Sequence, residues 1–214
     1  VQVEVATFRS DHAYLDGRRP VGVTFTASAE EDVRRRDFTI NGLLLDPAED
    51  RVLDFVGGRR DLEARLVRAI GDPAERFAED HLRLMRAVRF AARLGFEIEP
   101  ATLAAIREHS GAIERVAVER VREELVRILT EGGARRGFEL LDQTGLLGLL
   151  LPEVAAMQGV EQPPEFHPEG DVWVHTLLML EGLRQPSATL AMGVLLHDVG
   201  KPPTFRLAER IRFD

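Results

Sequence analysis

Residues 34–47 read Arg-Arg-Arg-Asp-Phe-Thr-Ile-Asn-Gly-Leu-Leu-Leu-Asp-Pro, three guanidinium groups and a carboxylate set directly before an apolar run. Charge is concentrated where the chain must turn inward. Any fold must therefore bury Phe38 and the leucines, here expected as a core helix, while Arg34, Arg35 and Arg36 still reach solvent or a ligand. Arginine forks match phosphate oxygens two at a time, and an adjacent Asp can orient an Arg or accept from a ribose hydroxyl. The same residues also serve as a solvated basic turn ahead of a helix, and such runs are common at element ends. The rest of the chain has to decide between the two.

Composition narrows the classes. At 214 residues and 44% hydrophobic content the chain can build one large domain or two small ones. It has no Cys, which excludes a disulfide framework and a thiolate metal site and leans toward the cytoplasm. No run approaches a membrane span and no secretory signal is visible, although the sequence begins at Val1 without Met, so a leader is compatible with it. The net charge of −8 argues against a surface that clings to nucleic acid everywhere. Contact with nucleic acid must be local. Lys201 is the only Lys, so positive charge rests on Arg, the better residue for planar recognition.

Along the chain, Val1, Val3 and Val5 alternate with Gln2, Glu4 and Ala6, the period of a strand over residues 1–8, with Glu4 on the face opposite the valines. Residues 11–20 read as a turn and residues 21–25 as a second strand. Ser28 and Glu31 have the spacing of a capping box at a helix start. Residues 52–56 form a short apolar run ended by Gly57-Gly58, read as a flexible joint or a tight turn. Asp72-Pro73 opens a helical region, and a long helix is expected from Glu79 to about Leu94, stopped by Gly95. In it Leu84, Val88 and Ala91 form a core stripe, with Met85 and Ala92 beside them. Helices follow over residues 102–108, 118–129, 134–144 and 146–151. A Pro-rich loop at residues 162–170 then precedes two apolar helices, 172–183 and 187–199.

Four pieces in order carry a resemblance: Glu4-Val-Ala-Thr-Phe-Arg9, Arg35-Arg-Asp-Phe-Thr-Ile-Asn41, Asp54-Phe-Val-Gly-Gly58, and Glu79-Asp80-x-x-Arg83. Over roughly residues 1–150 the chain resembles class II CCA-adding tRNA nucleotidyltransferases and bacterial poly(A) polymerases. That resemblance implies nucleotide contacts at Arg36, Asp37, Asn41, Asp80, Arg83, Arg86 and Arg89. It also implies a hinge at Asp54, Gly57 and Gly58, and a catalytic carboxylate at Glu4. The implied partners are CTP, ATP and the 3′ end of tRNA or another RNA, and the implied cofactor is Mg2+.

The chemistry of Asp80 and Arg83 suits such a task. A carboxylate accepts from the exocyclic amino group of cytosine or adenine, and an Arg donates to the ring acceptor beside it. Uracil and guanine present a carbonyl where the amino group should be, which leaves buried lone pairs opposed at a cost of about 1–3 kcal/mol. On spacing alone an i, i+3 helix pair or an N-terminal cap is the better reading of the two residues.

The family carries an upstream Asp-x-Asp pair for two magnesium ions, and no Asp-x-Asp occurs in this sequence. The chain is therefore expected to be a segment of a longer enzyme, inactive alone. His175 and His197-Asp198, preceded by His167, are similar to the HD domain of metal-dependent phosphohydrolases, which implies a divalent metal at His175, His197 and Asp198 with further ligands downstream. The expected architecture is α+β: a partial nucleotidyltransferase head at residues 1–70, a helical nucleotide-reading neck and RNA-binding body at 71–158, and a partial HD domain at 159–214. Two alternatives stand beside it, an HD phosphohydrolase with a relic head and a noncatalytic RNA-binding helical module.

Overall fold

A computed structural model of the chain describes residues 5–11, 22–162, 165 and 167–204. The fold is α+β, with small sheets at the N-terminal end and helices through the remainder. Strands β1 (Arg9–Asp11) and β2 (Val23–Phe25) pair antiparallel, with Arg9 opposite Phe25. Helix α1 (Ala29–Arg34) and a 3-10 turn (Thr39–Asn41) lead into the antiparallel hairpin of β3 (Leu43–Asp46) and β4 (Arg51–Asp54). Then come α2 (Gly58–Glu63), β5 (Leu66–Val67), α3 (Pro73–Glu79) and α4 (Arg83–Leu94), with β6 (Glu97–Ile98) parallel to β5. Helices α5 (Pro100–His109), α6 (Val118–Thr130), α7 (Ala134–Gln143), α8 (Leu146–Leu150) and α9 (Pro152–Ala155) follow, with a 3-10 turn (Ser110–Arg115) after α5. Last are α10 (Val172–Gly182), α11 (Ala188–Leu196) and the single turn α12 (Lys201–Thr204).

Local signals fix most of these bounds. Ser28 Oγ accepts from the Glu31 N–H at 3.3 Å, but the Ser28 N–H donates to Thr26 Oγ1, so only half of the expected capping box forms. Asp72 caps α3 by accepting from the Glu75 N–H at 3.1 Å, with Pro73 just inside the helix. Gly95 ends α4 with φ +64°, the left-handed geometry that only Gly adopts without steric cost. On α4, Leu84, Met85, Val88, Ala91 and Ala92 are all buried, as their spacing predicts, and this helix packs against both α6 and α7. One apolar core runs from Phe38 to Leu195, because α10 packs on α7 and α11 on α6.

Three expectations are corrected. The strand foreseen over residues 1–8 is absent from its described part: residues 5–8 are irregular, Val5 is 93% exposed, and the strand begins at Arg9. The apolar run after Asp37 is a 3-10 turn and a strand, not a helix. Asp46 Oδ1 accepts from the Ala48 and Glu49 N–H groups and turns the chain back, so the leucines pair with residues 51–54 instead of winding on. The helix foreseen from Glu79 is broken: α3 stops at Glu79, Asp80 is extended (φ −148°, ψ 105°), and α4 starts at Arg83.

Candidate functional site

The break at Asp80 makes a corner between α3 and α4, and this corner forms one wall of a cleft of about 420 Å3. The wall opposite is the end of α1 and the 3-10 turn after it, which bring Arg35, Arg36, Asp37 and Asn41 to the same space as Asp80, Arg83 and Arg86. Arg120 of α6 and Phe90 of α4 complete it. Five guanidinium groups against two carboxylates give the cleft a positive field in an acidic protein, the setting for a polyphosphate.

Each charged group is held from behind. Asp32 is buried and binds Arg35 through Oδ1 and Arg36 through Oδ2, at 2.5 and 3.0 Å, while the Arg9 N–H donates to Oδ1. Burial pushes its pKa up, but the bonds from Arg35, Arg36 and Arg9 outweigh this and hold it below the usual carboxylate range. Asp37 Oδ1 accepts from its neighbour Phe38 N–H and from Asn41 Nδ2, and Arg86 Nη2 lies 2.6 Å from Oδ2. Arg83 is 8% exposed; its Nη1 donates to Arg76 O and Glu79 Oε2 and its Nη2 to Arg35 O.

Asp80 is clamped by Arg120, Nη1 to Oδ1 at 3.2 Å and Nη2 to Oδ2 at 2.9 Å, and the Leu82 N–H also donates to Oδ1. A carboxylate oxygen has two acceptor sites and a guanidinium five N–H donors. Among the described residues, Oδ1 of Asp80 is therefore full and Oδ2 keeps one site, while Arg83 keeps its Nε–H and one Nη2 proton. An unused acceptor and unused donors thus belong to two residues lining one cleft, which Phe90 also lines.

The other anticipated residues fall into three places. Arg89 does not line the cleft: it is 4% exposed, paired with Glu124 at 2.6 Å and stacked 4.3 Å from the Phe90 centroid. Asp54, Gly57 and Gly58 form a packed turn. Asp54 accepts four backbone N–H bonds, from Val56, Gly57, Gly58 and Arg59; burial raises its pKa, and these bonds, Arg59 first, lower it further than burial raises it. Gly57 has φ +80° with open space where a Cβ would stand, whereas a Cβ on Gly58 would lie 2.2 Å from Thr39 O, so Gly58 alone is packed against the 3-10 turn. Glu4 lies outside the described residues.

At the far end, ligand atoms of His175, His197 and Asp198 lie within 4.8 Å of one another, and those of His167, Glu169 and His175 form a second such group. Glu169 had no signal in the sequence reading. Its own backbone N–H, then His175 and His167, hold its pKa down at about 2. Lys201 Nζ lies 2.7 Å from Asp198 Oδ2 and shares that carboxylate. Asp32 and Arg120 were also missed. Asp32 is three and four residues before the arginines it grips, a spacing that was readable; Arg120 is brought in only by tertiary packing.

Residues 1–68 match the family model of the poly A polymerase head domain, and residues 95–158 match that of the probable RNA and SrmB-binding site of polymerase A. The chain belongs to the poly(A) polymerase and CCA-adding enzyme family. It is 50% identical to the CCA-adding enzyme of Levilactobacillus brevis over 143 residues, 67% of this chain and 36% of that protein. The crystal structure of the Bacillus stearothermophilus CCA-adding enzyme in complex with CTP superposes with a TM-score of 0.65 at 30% identity, over 94% of this chain and 53% of that one. A tRNA nucleotidyltransferase complexed with a primer tRNA and an incoming ATP analog gives 0.60 at 25% identity, over 82% and 52%. The chain spans less than half the length of the curated relatives it matches.

Proposed function

We propose that the protein to which this chain belongs adds CMP and AMP, taken from CTP and ATP, to the 3′ end of tRNA without a nucleic-acid template. One observation carries the reading: the unused acceptor of Asp80 and the unused donors of Arg83 share a cleft with Arg36, Asp37 and Arg86. The arginines bind the triphosphate. Asp80 Oδ2 accepts from the amino group of cytosine or adenine, Arg83 donates to the adjacent ring nitrogen, and Phe90 offers its face to the base. A uracil or guanine edge opposes acceptor to acceptor and donor to donor.

The same reading includes a head, a helical neck and body, and a third unit from residue 159, working in the cytoplasm. Among the described residues no helix is long and apolar enough to cross a membrane. Family chemistry calls for a divalent metal at the reacting phosphate. The described residues of the head do not fit one: Asp37 spends its oxygens on Arg86, Asn41 and Phe38, and the metal-type groups lie beyond residue 166.

A second activity is favoured by the convergence of His175, His197 and Asp198, an HD-type phosphohydrolase centre. Two imidazoles and a carboxylate suit a divalent transition metal, which would act there as a Lewis acid on a phosphoester. Titration of the chain with Co2+, followed by its visible absorption, tests this; loss of the signal in His197→Ala is expected, and an unchanged signal removes the site.

Isothermal titration with the four nucleoside triphosphates tests the main reading. CTP and ATP should bind at least tenfold more tightly than UTP and GTP. Equal affinities for all four would refute it.

A further inference from the structure

The loop before α10 brings His167 and Glu169 against His175, and the reading of His175, His197 and Asp198 as a metal centre leaves the first two unused. The end of this loop is fastened. Asp171 Oδ1 caps α10 by accepting from the Val174 N–H at 2.8 Å, while its Oδ2 accepts from the Gly159 N–H at 2.7 Å. The Val172 N–H donates to Val160 O, so residues 171–172 are tied to residues 159–160. Just before this tie Gly170 takes φ +131°, a conformation closed to most side chains, and lets the chain fold back. Glu169 is thereby laid against His175, six residues on.

We propose that Glu169 is a positioning residue of the metal centre, fixing His175 in the tautomer whose Nε2 lone pair is free for the metal. This rests on the second activity proposed above and names a residue outside its ligand set.

The tautomer follows from the bonds. Glu169 Oε1 lies 2.5 Å from His175 Nδ1. An ionised carboxylate only accepts, so the proton sits on Nδ1 and a neutral His175 keeps its lone pair on Nε2. His197 is set the same way from the backbone: its Nδ1 lies 2.7 Å from Val194 O, and a carbonyl also only accepts. With that ring neutral, Nε2 of His197 stands 3.2 Å from Asp198 Oδ2, two acceptors facing each other, which a cation held by both would relieve. A metal-ligating His commonly donates its other N–H to a carboxylate or a backbone carbonyl, which fixes the ring and raises its basicity. His175 has the first kind of partner and His197 the second.

His167, Glu169 and His175 also lie close enough together to be ligands themselves. Their bonds argue against it. Glu169 Oε1 takes His167 Nδ1 as well, at 3.2 Å, so both rings carry protons on the nitrogens that meet the carboxylate. A metal held there would have to displace both protons. The His167 ring instead stands edge-on to His175, centroids 4.8 Å apart, and packs against it.

The test reads the tautomer and the metal separately. In long-range proton–nitrogen NMR spectra of the metal-free chain, His175 should carry its proton on Nδ1 in wild type and shift toward Nε2 in Glu169→Ala. Co2+ affinity, followed by visible absorption, should fall about 10–100-fold in Glu169→Ala, while the spectrum at saturation keeps its shape. Glu169→Gln should return to within about threefold of wild type, because its amide oxygen accepts the same bond. Unchanged Co2+ affinity in a folded Glu169→Ala overturns the proposal and leaves the metal centre standing. A Gln variant as weak as the Ala variant, with an altered absorption spectrum, makes Glu169 a ligand and also overturns it. A wild-type His175 protonated on Nε2 overturns it whatever the variants do. If wild type binds no Co2+, the metal centre itself fails and the proposal falls with it.

Discussion

Arg120 and Asp80, forty residues apart, form a two-point ion pair with N–O separations of 2.9 and 3.2 Å. Arg120 and the Leu82 N–H together fill Oδ1 of Asp80, and Arg120 holds Oδ2 by one of its two acceptor sites. Arg120→Gln should free the carboxylate to rotate, weakening CTP binding about tenfold, equivalent to ~1.4 kcal/mol, and narrowing the preference for CTP over UTP. Both side chains are part-exposed, so the melting temperature should change little. Titration of both nucleotides against the variant checks this.

The two positions of the double glycine should respond differently to a side chain. Gly58→Ala forces a Cβ onto Thr39 O and should cost about 3 kcal/mol. Gly57→Ala meets no neighbour but must hold φ +80°, and should cost roughly 1–2 kcal/mol. Urea denaturation of the two variants measures both; no loss at Gly58 would contradict its close packing on Thr39.

Arg89 belongs to the framework. Its pair with Glu124 is buried on both sides, so Glu124→Leu strands a guanidinium and should cost about 3–5 kcal/mol, nearer the lower figure because Glu131 lies 3.5 Å away. The double variant Arg89→Met with Glu124→Leu should recover most of that loss. Equilibrium unfolding of the three proteins decides it.

Acid should loosen the β4–α2 turn. Burial raises the Asp54 pKa but four backbone N–H bonds bring it below its ordinary value. A carboxyl depressed in the folded state contributes fully above the unfolded pKa of about 3.9 and loses that contribution as pH falls through the folded value. The stability advantage of wild type over Asp54→Asn should therefore hold from pH 7 to pH 5 and shrink by pH 3. An advantage constant down to pH 3 would contradict this.

Legibility in the sequence followed the range of the interactions. The α4 stripe, the helix start at Asp72 and the Gly95 stop are local, and each was readable. The corner at Asp80 was not, because Glu79-Asp80-x-x-Arg83 has helical spacing; what breaks the helix is the extended Asp80 backbone, with Oδ1 accepting from Leu82 N–H and the carboxylate drawn to Arg120. Leu43, Leu44 and Leu45 read as helix on apolarity alone, whereas the Asp46-Pro47 turn and the ladder to residues 51–54 make them a strand. For the site, Arg36, Asp37, Asp80 and Arg83 were legible as motif residues. Asp32, Arg120 and Phe90, which hold or complete them, depend on packing that no local pattern encodes.

In the proposed reading the amino group of the incoming base takes the acceptor site that Asp80 Oδ2 keeps beside Arg120. Asp80→Asn turns that position into one that can also donate. The decisive measurement is the ratio of CTP to UTP dissociation constants in wild type and in Asp80→Asn. A preference for CTP that collapses or inverts is the predicted result, and a ratio unchanged by the substitution would contradict the account.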